Sequence, residues 1–435
     1  MRFERIQSSL KHLFIQQPEA AFAQAKAFGV PDEAKLIGFA LALPLTLAFL
    51  ATPALADTNS LIAENGLAGA LKQLSAQADK TPSDQFALGA VHFLRGIEKT
   101  LQVRWEHNAV LDDLDLPVLR LPVPPNPDAK PFRADLITGL FTEILTDMDA
   151  SRAALANVPD GVEISLELNL ADLWFDINMN GTRDLGEGAI EVGAFTLMGS
   201  PDLGDADSIP PMDVRFDTAD VAWLTAYTHM VSAAGEMVVA FDPTEAITNV
   251  MNANAKMIEL RGDAPQNFGW DMQFGGWVDQ FAMAYGALNQ QPDATRTRAA
   301  HAHFLNMIAE NKTFWATLAL ETDNDREWIP NDTQTAALGF DLLPGTGDAW
   351  QAVLADAEAL LNGDLLIEYW RISPAGGVNV KKMFMDPPVI DIVTWVQGSG
   401  LLPYLERGPV ITGENHSRFE DMTGGNIFMI SFLLN

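Results

Sequence analysis

Apolar side chains recur every three or four residues along much of this chain. Phe86, Ala90, Phe93, Ile97 and Leu101 follow a Thr81-Pro82 start, and Ile137, Leu140, Ile144, Met148 and Leu155 repeat the spacing. Each set lines one face of a helix. The period returns at Val221, Leu224, Val231, Val238 and Phe241, with Asp217 placed as an N-cap, Asp220 three residues on and Pro243 beyond the end. Further helices are expected through ITNVMNANAKMIEL, WVDQFAMAYGAL, RAAHAHFLNMIAENKTFWATLAL and AWQAVLADAEALL.

Other stretches break this rhythm. Ile164, Leu166, Leu168 and Leu170 alternate with Glu163, Ser165, Glu167 and Asn169, which predicts a half-buried strand. A second alternating piece runs from Ile190 and Val192 to Leu197, and near the C-terminus LLIEYWRI and VNVKKMFM, separated by SPAGG, read as a hairpin. LPVLRLPVPPNPDAKPF reads as a stiff strap between helices, because its prolines lack backbone donors and favour extended chain. The expected fold is mainly α, a multi-helix bundle-like or α/α architecture with a small β element. Residues 57–160 form one helical region, 161–214 the β element and 215–435 a second helical region with the hairpin, together one compact unit.

The two alternating pieces flank DINMNGTRDLGE, residues 176–187. Calcium takes six to eight oxygens, and a short loop surrounds it only if the backbone turns sharply midway. Asp176, Asn178 and Asn180 supply the first side-chain oxygens and Gly181 permits the turn. Thr182 offers its carbonyl, Asp184 acts directly or through water, and Glu187 brings both carboxylate oxygens. Position eight, usually aliphatic so that two such loops can pair, is Arg183. An isolated site with three formal negative charges is expected, with a Kd on the order of 10⁻⁴–10⁻³ M, as in extracellular modules. The alternative is an Asn-Gly turn that closes a hairpin with solvated carboxylates.

Charge narrows the partners. The 435 residues carry 58 acidic against 27 basic side chains, a formal net charge of -31. Phosphate recognition needs a cationic footprint, so nucleic acid is not an expected partner. Cysteine is absent, which excludes disulfides, thiolate metal sites and a cysteine nucleophile. LIGFALALPLTLAFLATPALA, residues 36–56, follows Lys35 and ends in Ala54-Leu55-Ala56. It reads as an export signal cleaved before Asp57, preceded by an extended leader. The expected location is periplasmic or secreted in a bacterium, with no membrane contact after cleavage. A retained membrane anchor is the alternative, since about 20 apolar residues span a bilayer.

Catalytic signatures are few. No H-E-x-x-H, G-x-S-x-G, P-loop or G-x-G-x-x-G occurs. His301 and His303 point to different helix faces, and His229 shares a face with Thr225, Ser232 and Glu236. ETDNDREWIPND, residues 321–332, crowds Glu321, Asp323, Asp325 and Glu327 without the midway glycine. Trp174, Trp223, Trp270, Trp277, Trp328, Trp370 and Trp395 fall within or beside apolar patterns and are expected mostly in the core.

At DTADVAWLTAYTHM, ETDNDREWIPND and DIVTWVQGSGLLPYLE the chain resembles a group of exported bacterial proteins that carry an EF-hand-like loop. The resemblance implies export and the loop, and brings no catalytic residue. The expected function is non-catalytic: calcium-stabilised binding of a protein or small-molecule ligand in grooves between helices. Two alternatives stand beside it. One is a secreted α-helical hydrolase or lyase acting on polysaccharide through the carboxylates at 321–327, which an apolar setting for those carboxylates would favour. The other is a membrane-anchored interaction protein.

Overall fold

The computed structural model describes residues 57–108, 123–198, 211–264, 274–340, 342–423 and 427–434. The segments read as an export signal and its leader, the first part of the proline strap, the acidic stretch at 199–210 and Trp270 lie outside these residues.

Helices dominate. α1 (Thr58–Ala76) leads to α2 (Pro82–His107), which starts on a capping box in which Thr81 and Asp84 each satisfy the other's backbone N–H. α3 (Leu136–Leu155) packs along α2, and Ser151 donates to the Gly89 carbonyl at 2.7 Å across that buried contact. After β1 (Leu166–Asn169), α4 (Ala189–Met198) and β2 (Asp213–Phe216), the long helix α5 (Thr218–Ala240) lies between α3 and α8 (Ala294–Leu318). α6 (Thr244–Arg261) and α7 (Gly276–Leu288) form a hairpin between α5 and α8. α9 (Thr346–Asn362) follows α8 in sequence. The predicted capping box of α5 is present, with Asp217 and Asp220 in the two roles.

β1 and β2 pair antiparallel with Leu166 opposite Phe216 and Leu168 opposite Val214. Their alternation puts these four side chains in the main core, as the period-2 pattern requires. That core joins residues from Leu61 to Leu434 and includes the aromatic group Phe86, Phe216, Trp223 and Tyr227. No described helix is long and apolar enough to cross a membrane.

One strand expectation fails and another is shortened. Residues 190–197 are helical, within α4, because the segment is apolar enough to fit either period and Glu191 in the first turn favours the positive helix end. The Glu191 carboxylate also accepts the amides of Gly186 and Gly188 at 2.8 and 3.0 Å. VNVKKMFM contributes only Val378 to a strand, since Asn379 caps a helix, α10 (Val380–Met385), through Lys382 N–H at 3.1 Å. The expected hairpin is present as β3 (Ile367–Glu368) paired antiparallel with β4 (Gly376–Val378), and β5 (Leu405–Arg407) adds a third strand on the other side of β4. α11 (Ile392–Gln397), α12 (Glu414–Met422) and α13 (Ile427–Leu434) complete the chain.

Candidate functional site

The loop at 176–187 is closed at its neck like a hairpin. Trp174 bridges Gly188, Phe175 N–H donates to the Glu187 carbonyl at 2.8 Å, and Ala189 N–H donates to the Leu173 carbonyl at 2.8 Å. α2 fixes its start from below. Buried Glu98 accepts the Asp176 amide at 2.8 Å, and Gln102 donates to the Asp176 carbonyl at 2.8 Å. The Trp174 indole donates to the Ile62 carbonyl of α1 at 3.0 Å.

Within the loop the six residues marked by spacing form one hydrogen-bonded unit. Gly181, with φ 77, turns the chain so that its N–H reaches Asp176 Oδ2 at 3.0 Å. Asp176 Oδ1 is buried without a hydrogen-bond partner. Asn178 Oδ1 accepts the Asn180 amide at 3.0 Å, and Asn180 Oδ1 accepts the Thr182 amide at 2.8 Å. Both Asn side chains donate to Asp184 Oδ2, at 2.6 and 2.7 Å. Glu187, only 2% exposed, turns its carboxylate inward onto the amides of Ile177, Asn178 and Asp184 at 2.8, 3.3 and 2.8 Å. Burial raises the Glu187 pKa while these amides lower it. Arg183 leaves the loop and donates to the Ala171 carbonyl at 3.0 Å.

All these ligand candidates are oxygens, as a hard cation requires. Each amide or carboxylate oxygen already holding one N–H keeps a second lone pair. The carboxylates of Asp176, Asp184 and Glu187 do not converge on one another. Among the described residues the three acidic groups whose oxygens lie within 4.8 Å of one another are Asp217, Glu321 and Glu327.

That second group has its own scaffold. Asp217 caps α5, accepting the Ala219 amide at 3.0 Å, and Asp220 accepts the Asp217 amide at 2.9 Å. Glu321 follows the end of α8 and meets the Gln334 side chain through Oε2 at 3.4 Å, while its Oε1 is buried without a hydrogen-bond partner. The chain around Glu327 docks on the free edge of β2: Arg215 N–H reaches the Arg326 carbonyl at 3.0 Å, and Ala337 N–H reaches the Glu327 carbonyl at 2.8 Å. Arg326 adopts φ 62 there, a costly conformation for a residue with a side chain.

The cations of this corner serve its outer carboxylates. Arg215 bonds Asp323 at 2.7 Å, and Arg326 bonds Glu167 at 2.9 Å and Asp325 at 3.1 Å. Asp217, Asp220 and Glu327 are buried, and Phe216, Trp223 and Trp328, close to them in sequence, pack ring against ring. Burial, and then the charge of Asp217, push Glu321 up to about 8 and raise Asp220 well above the carboxylate range. Burial raises Glu327 as well. Such a group binds protons or a cation more readily than separate carboxylates do.

Sequence spacing brought out Glu321 and Glu327 but grouped them with Asp323 and Asp325, which face solvent. It missed Asp217 and Asp220 as their partners. An acidic cap just after a strand is the only local signal, and it does not reveal what meets it from about a hundred residues away.

The polar group expected around His229 is dispersed. Thr225 bonds its own helix at Val221, Ser232 accepts from Arg152 at 2.9 Å, and Glu236 pairs with Arg296 at 3.1 Å. His229 Nδ1 instead meets His303 Nδ1 at 2.8 Å, whereas His301 faces the Leu361 carbonyl at 2.8 Å, so the two α8 histidines do point apart. The tryptophans divide as well. Trp174 and Trp223 are buried, but Trp277 and Trp370 stand 66% and 65% exposed, against the expectation of core positions.

No known protein family, curated protein or solved structure matches this chain.

Proposed function

We propose that this is an exported bacterial protein, periplasmic or secreted, that binds a protein or small-molecule ligand without catalysis and is stabilised by one calcium ion in the loop at 176–187. The observation that carries the ion is Asp176. One of its oxygens holds Gly181 across the loop and the other is buried with no partner. A bound cation supplies that missing partner. Asp176, Asn178, Asn180, Asp184 and Glu187 would hold it through side chains and Thr182 through its carbonyl.

The ion's place explains its structural role. Asp176 hangs from α2, and the end of the loop leads through Gly188 into α4, so ordering the loop ties α2 to α4. Ion binding to the folded state alone stabilises it by about 1.4 kcal/mol at ten times Kd. Thermal melts in millimolar calcium and in chelator test this. A calcium-dependent rise, lost in both Asp176→Ala and Glu187→Gln, supports the reading, and a melting temperature indifferent to calcium rejects it.

A second reading rests on the carboxylate centre. A half-buried acid held up to about 8 beside ionisable neighbours has the character of a general acid, which a polysaccharide hydrolase or lyase needs. Turnover of an acidic or neutral glycan, abolished in Glu321→Gln with folding intact, would favour it. Asp217, Glu321 and Glu327 line neither of two open depressions, of about 670 and 530 Å³, one around Leu343 and Arg418 and the other around Asp57 and Asn169.

A further inference from the structure

α5 and α8 pack along each other, and each contributes one histidine to a contact between them. His229 Nδ1 and His303 Nδ1 lie 2.8 Å apart, with ring centroids 5.0 Å apart and planes at 44°. Both residues are half-buried, so the helices hold the pair while solvent still reaches it. Each ring nitrogen carries either a proton or a lone pair. A hydrogen bond here therefore needs two different tautomers, one ring protonated on Nδ1 and the other on Nε2. When both rings are protonated on Nε2, two lone pairs face one another.

We propose that His229 and His303 form a binding site for a divalent cation of square-planar or tetragonal preference, copper(II) first among them, held by both Nδ1 atoms with water in the remaining positions. Imidazole suits such an ion, and copper(II) stands highest in affinity among the first-row divalent metals. Distance selects the geometry. Two metal–nitrogen bonds of about 2.0 Å at a right angle put the nitrogens about 2.8 Å apart, whereas a tetrahedral angle puts them about 3.3 Å apart. The observed separation, 2.8 Å, is the right-angle one. Calcium takes oxygen ligands and does not compete here, so the inference is independent of the loop at 176–187.

Protonation and charge are compatible with the ion. A metal-bound imidazole must be neutral. Burial first, and then the charge of Arg152, hold His229 down to about 4, and the same causes lower His303, so both rings are neutral at pH 7. Arg152 of α3 is the cation that faces the pair, and it is already engaged. Its guanidinium donates to the Thr228 carbonyl at 3.0 Å, to the Ser232 hydroxyl at 2.9 Å and to the Asp149 carboxylate, which offsets its charge. The net charge of -31 raises the local concentration of cations around the molecule.

Electron paramagnetic resonance of the purified, untagged protein with one equivalent of copper(II) at neutral pH tests the proposal, with isothermal titration beside it. A tetragonal signal whose superhyperfine pattern reports two nitrogens is expected. Affinity should fall by roughly tenfold or more in each of His229→Asn and His303→Asn. It should be unchanged in Asp176→Ala and in His416→Asn, the latter at an exposed histidine. A wild-type signal with oxygen ligands alone, or with a single nitrogen, overturns the proposal even if a variant fails to fold. Wild-type affinity in either the His229 or the His303 variant overturns it as well.

Discussion

The His229–His303 contact joins two half-buried imidazoles by one hydrogen bond, which one neutral ring donates and the other accepts. Burial first, and then the charge of Arg152, hold His229 down to about 4, and the same causes lower His303. A depressed histidine contributes stability above its unfolded value of about 6.5 that is lost as pH falls toward the folded value. Glu321 has the opposite sign. Its carboxyl lies at about 8 in the fold against an ordinary 4.5, so its contribution is full below 4.5 and is lost as pH rises through 8. Melting temperatures across pH 4–9 should separate the two. A His229→Leu/His303→Leu variant is expected to flatten the acid limb alone, and Glu321→Gln to flatten the alkaline limb alone. Neither contact was legible in the sequence. His303 was read only as facing away from His301, and Asp217, the partner of Glu321, lies at the cap of α5, far off in sequence.

Elements were more legible where one period ruled. α2, α3, α5 and α8 are long enough for their apolar spacing to be unambiguous, and the capping acids of α5 stand where the sequence puts them. Short apolar segments were not, because 190–197 and 380–385 satisfy a strand period and a helix period alike, and a local cap decides. The three-stranded sheet shows how little sequence is needed once packing takes over. A Cβ on Gly377 would sit 2.0 Å from the Ile367 carbonyl oxygen, and one on Gly376 would sit 1.9 Å from that of Glu406. Backbone occupies the space on both sides of β4. Gly377→Ala should therefore destabilise by about 3 kcal/mol or more, measured by urea denaturation. A loss under about 0.5 kcal/mol would show that β4 is not held between its neighbours.

At the scale of the molecule, one core runs from α1 to the C-terminal helix, and three features sit at its margins: the oxygen-lined loop on α2, the carboxylate centre at the β2 edge and the apolar hairpin beyond α5. The loop was legible because its oxygen-bearing side chains are close together in sequence. The centre was not, because its acids come from residues 217 and 321–327, and the hairpin's free face looked like ordinary core spacing until its exposure was known. The proposed export would bring the loop to calcium outside the cell, where millimolar ion makes a weak site sufficient. The most direct test is isothermal titration of the purified protein with calcium at neutral pH. One ion per chain is expected, with a Kd on the order of 10⁻⁴–10⁻³ M, abolished in Asp176→Ala and retained in Glu321→Gln. No binding, or binding that survives Asp176→Ala and disappears with Glu321→Gln, would contradict the account.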